Sequence, residues 1–166
     1  NGVDTNSIFI SYCPERVLPG NILSELIMNN RIVGGLSPKS TIATSSFYKT
    51  FVKGDVVETD ANTAEMCKLT ENSYRDLNIA FANELSIICE KENLDVWKLI
   101  KLANLHPRVD ILQPGAGVGG HCIAVDPWFI VDRNPEESRL IKLAREVNLD
   151  KTKWVIKKVK EKVSEL

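Results

Sequence analysis

The sequence lacks a long apolar run and an excess of charge of one sign. No apolar stretch approaches the roughly 20 residues that cross a bilayer. The 21 Lys and Arg residues nearly balance 22 Asp and Glu residues, for a formal net charge of -1. We therefore expect no membrane span and no electrostatic footprint for nucleic acid or an anionic membrane. The chain opens on Asn1-Gly2-Val3-Asp4, without an initiator Met or the features of a signal peptide.

Closely spaced cysteines are also absent. Cys13, Cys67, Cys89 and Cys122 lie far apart and form no Cys-x-x-Cys motif. This spacing argues against a disulfide framework and against a metal site, and it favours a reducing cytoplasm. Cys67 and Cys89 fall inside apolar helical patterns, so we expect both to be buried. Cys122 differs because its neighbours are mainly glycines.

Strands alternate with helices only in the first third of the chain. This alternation predicts a small parallel α/β layer, and Ser37 is the expected cap of its second helix. Three strands are too few for a sheet to stand alone. The predicted strands are 8–12, 31–35 and 55–59, and the predicted helices are 21–29 and 38–52.

From residue 61 onward the pattern is helical. Asp60 is placed to cap a helix that continues to Asn93 without Gly or Pro, a length of about 48 Å at 1.5 Å per residue. The predicted fold class is thus mainly α with a small α/β part, built on one long helix. Four shorter helices are predicted at 95–104, 126–133, 135–148 and 151–163.

A long irregular segment, residues 105–125, is rich in Gly and Pro. Gly115, Gly117 and Gly120 fit the pattern G-x-G-x-x-G, but Gln-Pro precedes the pattern and His-Cys follows it. A dinucleotide fingerprint needs a strand before it and a helix opening at the third glycine, so we reject that interpretation. Glycines here instead allow backbone to approach a ligand and hold a nucleophile at the end of a loop.

Two sets of polar residues are candidates for chemistry. Cys122 is either an activated nucleophile or a small buried residue in a tight loop. Lys68 and Asn72 are spaced i, i+4 and share one face of the long helix. They form either an ordinary solvated face or a pair of donors to a developing oxyanion. Asp126 follows Cys122 by four residues, at the start of a predicted helix. The residues alone leave these alternatives open.

Several separated motifs, in the same order, resemble the UDP-glucose/GDP-mannose dehydrogenase family. The resemblance covers essentially all 166 residues. Part of it is similar to the branch of the family that acts on UDP-N-acetyl-D-mannosamine. The general motifs are Glu65-Met-Cys-Lys-Leu-Thr-Glu-Asn72, Asn78-Ile-Ala-Phe-Ala-Asn-Glu84 and Gly117-Val-Gly-Gly-His-Cys-Ile-Ala-Val-Asp126-Pro. The branch motifs are Tyr12-Cys-Pro-Glu-Arg-Val-Leu-Pro-Gly20, Ala103-Asn-Leu-His-Pro-Arg108 and Asp126-Pro-Trp-Phe-Ile-Val131.

The resemblance implies oxidation of the C6 hydroxyl of a nucleotide sugar to a carboxylate, with two hydride transfers to NAD. The family nucleophile matches Cys122, which forms a thiohemiacetal and then a thioester. Lys68 and Asn72 match a pair that holds the C6 oxygen, and Asp126 matches an aspartate that orients water or Lys68. The expected sugar is UDP-N-acetyl-D-mannosamine, with UDP-glucose, UDP-N-acetylglucosamine and GDP-mannose as alternatives.

Substrate contacts also follow from the resemblance. Arg108 matches an arginine that reaches the substrate of the neighbouring subunit. The backbone of residues 113–120 is expected to cradle the sugar. His121 either packs against substrate or serves as a base, the first being favoured. The remaining substrate-binding residues implied are Gly117, Gly119, Gly120, Glu15 and Arg16.

One departure affects hydrolysis of the thioester. UDP-glucose dehydrogenases carry a glutamate just before the glycine that matches Gly20, and here that position is Pro19. The residue that activates water is therefore open, with Asp126 and Glu15 as candidates.

The resemblance further implies a division of the chain into three parts. Residues 1–60 correspond to the end of a Rossmann NAD-binding domain, 61–149 to a central helical domain for catalysis and dimerisation, and 150–166 to a connector toward a UDP-sugar-binding domain. We thus expect an internal fragment that by itself neither binds NAD tightly nor turns over. A homodimer through the long helix is expected, and a dimerisation module without activity is the alternative for a chain of this length.

Overall fold

The computed structural model describes residues 8–118, 120 and 122–165. The chain divides into two compact units, Asn1–Lys68 and Leu69–Leu166. The elements are β1 (Ser11–Tyr12), α1 (Ile22–Met28), β2 (Arg31–Gly35), α2 (Pro38–Tyr48), β3 (Val56–Asp60), α3 (Ala61–Lys91), α4 (Val96–Ala103), α5 (Asp126–Arg133) and α6 (Arg139–Ser164).

The first unit contains a three-stranded sheet in the order β1-β2-β3. β2 pairs with β3 in parallel, as predicted, with Arg31 opposite Val56. β1 runs antiparallel to β2, with Ser11 opposite Gly35, so the prediction of a wholly parallel layer is wrong for this strand. β1 also covers two residues instead of the five predicted over 8–12. A strand this short has no residue pattern that distinguishes the two directions, and antiparallel edge strands on parallel sheets are common.

β2 is the middle strand of the sheet. Val33 is fully buried. Gly34 leaves no room for a side chain, because a Cβ there would lie 2.2 Å from the Asp60 carbonyl oxygen and 2.6 Å from the Ala64 Cβ. The absence of a side chain lets the first turns of α3 lie directly on the strand.

Side-chain caps fix the starts of α2 and α3, as predicted. Ser37 Oγ accepts a hydrogen bond from the Ser40 backbone N–H at 3.2 Å. The Asp60 carboxylate accepts from the Thr63 hydroxyl at 2.6 Å and from its N–H at 2.9 Å. These bonds, that of the hydroxyl above all, hold the pKa of Asp60 below its ordinary value. Each cap satisfies a helix N–H group that has no partner within the helix.

The long helix was predicted to within two residues of its end. α3 ends at Lys91 instead of Asn93, and Asn93 adopts a φ of 55°, the left-handed conformation that often terminates helices. α2 ends at Tyr48, four residues before the predicted end at residue 52.

α6 is one helix of 26 residues. The prediction of two helices, 135–148 and 151–163, is therefore wrong. The intervening Leu149 and Asp150 include no Gly or Pro, so nothing in the chain interrupts the helix there. The expected domain boundary at 149/150 falls inside this helix.

A buried polar network joins α3 to α6 in the second unit. Arg145 pairs with Asp76, and the two side chains are 3% and 1% exposed. Asn148 Nδ2 donates to Asp76 Oδ1 at 2.8 Å, and Asn83 Nδ2 donates to Asn148 Oδ1 at 2.8 Å. Burial raises the pKa of Asp76, against the opposing effect of the Arg145 guanidinium. Because such groups are costly to bury unpaired, this network fixes how the two helices align.

Lys151 is also buried between these helices. Its Nζ donates to Ser86 Oγ at 2.8 Å and lies 3.7 Å from the centroid of the Trp154 ring. Burial lowers the pKa of this ammonium, although Glu90 acts in the opposite direction.

The predicted fold class, mainly helical with a small sheet, is confirmed. Cys89 is buried as predicted, whereas Cys67 is only half-buried. Within residues 8–118, 120 and 122–165, no helix combines the length and apolarity that a bilayer span requires.

Candidate active site

Cys122 lies at the end of the irregular segment and is exposed to solvent. Its carbonyl oxygen accepts hydrogen bonds from the backbone N–H groups of Val125 at 3.1 Å and Asp126 at 2.8 Å. These bonds form a turn that leads into α5, which begins at Asp126. In this structure the thiol is thus exposed, unlike the small buried cysteine of the alternative interpretation.

Asp126 links this turn to the long helix. Asn72 is buried on α3, and its Nδ2 donates a short hydrogen bond to Asp126 Oδ2. The second unit thus brings together three residues that the sequence marked as catalytic candidates: Asn72, Cys122 and Asp126.

The irregular segment before Cys122 is held by side chains from three helices. Asn104, the C-cap residue of α4, accepts from Ile111 N–H at 2.8 Å and donates to the Ile111 carbonyl at 3.0 Å. Asn83 Oδ1 on α3 accepts from Gly115 N–H at 2.8 Å. Thr152 Oγ1 on α6 accepts from Gly117 N–H at 2.9 Å.

None of these three side chains was singled out from the sequence. The signal available for Asn83 is a polar residue directly after the apolar run Ile79-Ala-Phe-Ala82 of a predicted helix, where an amide needs a partner if it is buried. Asn104, like Asn83, lies within a motif that carried the resemblance but had no role assigned to it, whereas Thr152 lies outside those motifs.

Two glycines of the segment adopt left-handed backbone conformations. The φ angle is 64° at Gly117 and 75° at Gly120. Space around both is open, so it is the backbone conformation that favours glycine there. The predicted substrate residues Gly119 and His121 lie outside the described residues.

The other candidate residues, Glu15, Arg16 and Lys68, belong to the first unit. Lys68 Nζ donates to the Glu15 carbonyl oxygen at 2.7 Å. The Glu15 carboxylate accepts from the backbone N–H groups of Arg16 at 2.7 Å and Val17 at 2.9 Å, and from the buried Arg31 guanidinium at 3.1 Å. Partial burial acts to raise the pKa of Glu15, but these bonds bring it below the ordinary value. Both oxygens of this carboxylate are therefore engaged.

Arg16 and Arg108 differ in their surroundings. Arg16 Nη2 donates to the Asn30 carbonyl at 2.7 Å. Arg108 is exposed, and its guanidinium has no hydrogen bond or ion pair with the residues that the structure describes.

A cleft of about 430 Å³ lies in the first unit, where the parallel strands β2 and β3 end and α2 begins. Ligands of open α/β sheets bind in the crevice beyond the carboxyl ends of the strands, so this cleft is a candidate for cofactor contact. It is lined by Gly35, Leu36, Ser37, Pro38, Thr41, Ile42, Glu58, Thr59 and Asp60.

Comparison with known proteins gives consistent matches. The model of the UDP-glucose/GDP-mannose dehydrogenase family, central domain, matches residues 62–150. A UDP-N-acetyl-D-mannosamine dehydrogenase of Salmonella typhi is 62% identical over 156 residues, covering 94% of this chain and 37% of the relative. An NDP-N-acetyl-D-galactosaminuronic acid dehydrogenase of Ralstonia nicotianae is 60% identical over 158 residues, covering 95% of this chain and 37% of the relative.

Among solved structures, a UDP-D-ManNAc dehydrogenase from Pyrococcus horikoshii superposes with a TM-score of 0.88 at 42% identity. The match covers 93% of this chain and 37% of that one. The chain thus spans little more than a third of the length of the relatives it matches.

Proposed function

This chain belongs to the UDP-glucose/GDP-mannose dehydrogenase family, and from that membership we propose that the full-length protein oxidises the C6 hydroxyl of a nucleotide sugar to a carboxylate. The observation that carries the chemistry is an exposed Cys122 in the turn to α5, where Asp126 is hydrogen-bonded to Asn72. The proposed sugar is UDP-N-acetyl-D-mannosamine, the substrate named for a relative 62% identical to the chain. A relative 60% identical is named for a different N-acetylated sugar, so that sugar belongs in the substrate test.

The proposed reaction has two oxidations, and NAD supplies a hydride acceptor for each. In the first, C6 loses a hydride and its hydroxyl a proton, which leaves an aldehyde. The Cys122 thiolate then adds to the aldehyde carbon, and the carbonyl electron pair becomes an oxyanion. The Lys68 ammonium and the Asn72 amide are one turn apart on α3 and are proposed to donate to that oxygen. Donors of this kind are worth a few kcal/mol in comparable sites.

Loss of the second hydride converts the thiohemiacetal to a thioester. Water then attacks the acyl carbon and loses its two protons to solvent, the carbon–sulfur bond breaks, and the Cys122 thiolate leaves with the carboxylate as the other product. We propose that Asp126 orients this water. Its competitor Glu15 is less suitable, because three hydrogen bonds occupy its carboxylate and its pKa is low.

The cofactor and the domain boundaries are part of the proposal. Residues 1–60 are assigned to the end of an NAD-binding domain, and the cleft beyond β2 and β3 fits a nucleotide because it lies where α/β sheets bind such ligands. Residues 61–149 are assigned to the central catalytic domain, and 150–166 to the connector. The activity is proposed for the full-length protein and not for this chain alone.

A Cys122→Ser variant of the full-length protein tests the covalent step. We expect formation of the uronic acid from UDP-N-acetyl-D-mannosamine to fall below detection, because a serine hydroxyl without an activating base is a poor nucleophile. The product is measured by anion-exchange chromatography with mass detection. Cys89→Ala, which removes a buried thiol away from the site, serves as control and should retain activity. Acid formation by Cys122→Ser at the wild-type rate would refute the covalent mechanism.

A homodimer is the second part of the proposal. The second unit has an apolar groove of about 360 Å³ between α3 and α6. Large side chains around it are exposed: Phe81 is 53% exposed, Leu140 62% and Leu143 54%. Exposed apolar surface of this kind marks a protein contact site, and a second copy of the same helix pair is the proposed occupant. The groove is lined by Leu77, Asn78, Ala80, Phe81, Glu84, Leu140, Leu143, Ala144 and Val147.

A further inference from the structure

We infer that Asn83, Asn104 and Thr152 are positioning residues that fix the backbone of residues 111–118 ahead of the nucleophile. These three side chains are called the loop anchors below. The inference rests on the proposed function, since it assigns to the segment the task of holding the sugar in front of Cys122.

The anchors form hydrogen bonds with main-chain groups of three residues within eight positions of the chain. Ile111 is held through both its N–H and its carbonyl, and the N–H groups of Gly115 and Gly117 are each held by one side-chain oxygen. The anchored residues lie outside helices and strands, so a regular backbone ladder does not supply these bonds. Glycines lose more conformational freedom on ordering than other residues. The anchors therefore counter a large entropic tendency of this segment to move.

Asn83 is itself immobilised. Its side chain is fully buried, and its amide donates to Asn148, which in turn donates to Asp76. Asp76 is paired with the buried Arg145. The orientation of the Asn83 amide is fixed by this chain of donors, because turning it over would set its oxygen against that of Asn148.

The anchors also decide which backbone groups meet the substrate. The N–H groups of Gly115 and Gly117 are already bonded to Asn83 and Thr152, so they are not available to a ligand. Binding to a segment that is already ordered avoids the entropic cost of ordering it, and accurate placement of the sugar is a large part of the rate. Loss of an anchor is thus expected to weaken sugar binding without removing any group that touches the reacting atoms.

Thr152 provides the cleanest test because its side chain is only half-buried. Thr152→Val keeps the shape and removes the hydroxyl oxygen, whereas Thr152→Ser keeps the oxygen. In the full-length protein we expect Thr152→Val to raise the KM for UDP-N-acetyl-D-mannosamine about three- to ten-fold, the effect of one net hydrogen bond. Hydrogen exchange of the peptide covering residues 111–118, followed by mass spectrometry without ligand, should become faster.

Two control variants make the result specific. Thr152→Ser, which keeps the hydroxyl oxygen, should have the wild-type KM and the wild-type exchange rate. Ser164→Ala removes a hydroxyl on the same helix that bonds only to the Lys160 carbonyl among the described residues, and it should leave both unchanged. The inference is overturned if Thr152→Val and Thr152→Ser show the same exchange, or if exchange increases while the KM stays at the wild-type value. If the wild-type protein oxidises no nucleotide sugar, the proposed function fails, whereas the exchange comparison still supports or overturns anchoring.

Discussion

Gly115 and Gly117 form a natural matched pair at the scale of single residues. Space for a methyl group is open at both positions, yet only Gly117 has a left-handed φ, of 64°. Both donate their N–H to a loop anchor. Any difference between alanine substitutions at the two positions therefore reports the backbone conformation.

We predict that Gly117→Ala lowers the free energy of unfolding by about 1–2 kcal/mol, the usual cost of a left-handed conformation for a residue with a Cβ. Gly115→Ala should be neutral or slightly stabilising, since it restricts the unfolded chain without strain. Urea denaturation of the two variants beside the wild type measures both effects. Equal stability of the two variants would show that the φ difference carries no strain.

The sequence identified those candidate residues whose type and spacing indicate a chemical role. Cys122 stood out because a glycine-rich stretch precedes it, and Lys68 and Asn72 because their spacing puts them on one helical face. The loop anchors were missed for a physical reason. A hydrogen bond such as that from Gly115 to Asn83 spans 32 positions, and only the packed fold shows which acceptor meets which backbone N–H.

At the scale of elements, the alignment of α3 with α6 depends on the pair of Asp76 and Arg145. Both side chains are buried, and Asp76 Oδ2 and Arg145 Nε have no hydrogen-bond partner among the described residues. Each charged group is thus stabilised mainly by the other. Replacing one alone leaves the other uncompensated in the interior.

We predict that Arg145→Met destabilises the protein by about 3–5 kcal/mol. The double variant Asp76→Leu with Arg145→Met should be more stable than the single one, because neither charge of the pair then remains buried. Denaturation followed by circular dichroism compares the two.

Lys153→Met is the matched control on the same helix. It breaks a pair with Asp150 whose side chains are 77% and 69% exposed, and the cost should stay below about 1 kcal/mol. A double variant less stable than Arg145→Met would contradict the assignment of the cost to the uncompensated charge.

Elements with strong local signals were predicted well, and those set by packing were not. The caps at Ser37 and Asp60 and the absence of Gly and Pro in α3 are local, and they gave the starts of α2 and α3. The direction of β1 depends on its partner strand, which a strand of two residues does not specify. The prediction of a break between residues 148 and 151 was wrong, since the local sequence contains no Gly or Pro and is compatible with one helix.

At the scale of the whole molecule, the groove between α3 and α6 is the surface through which two copies are proposed to pair. Its exposed rim includes Phe81, Leu140 and Leu143. Pairing of two copies there would cover this apolar surface, and burial of such side chains stabilises association by roughly 25 cal/mol per Å² before the costs of association.

We predict that the full-length protein sediments as a dimer at micromolar concentration. Phe81→Glu should shift it toward monomer, because a charge would be buried in the contact. Val163→Glu changes an apolar residue near the end of α6 that is 65% exposed and lies outside the groove, and it should leave the dimer intact. A wild-type protein that sediments only as a monomer would count against this interface.

The continuity of α6 has a consequence for how this part of the chain can vary. Arg145, Asn148 and Thr152 are separated by three and four residues, so they form one stripe along the helix. Inserting a single residue between Asn148 and Thr152 would rotate the threonine by about 100° relative to the ion pair and carry its hydroxyl away from Gly117. This stretch is thus sensitive to insertions and deletions even where the side chains themselves are exposed.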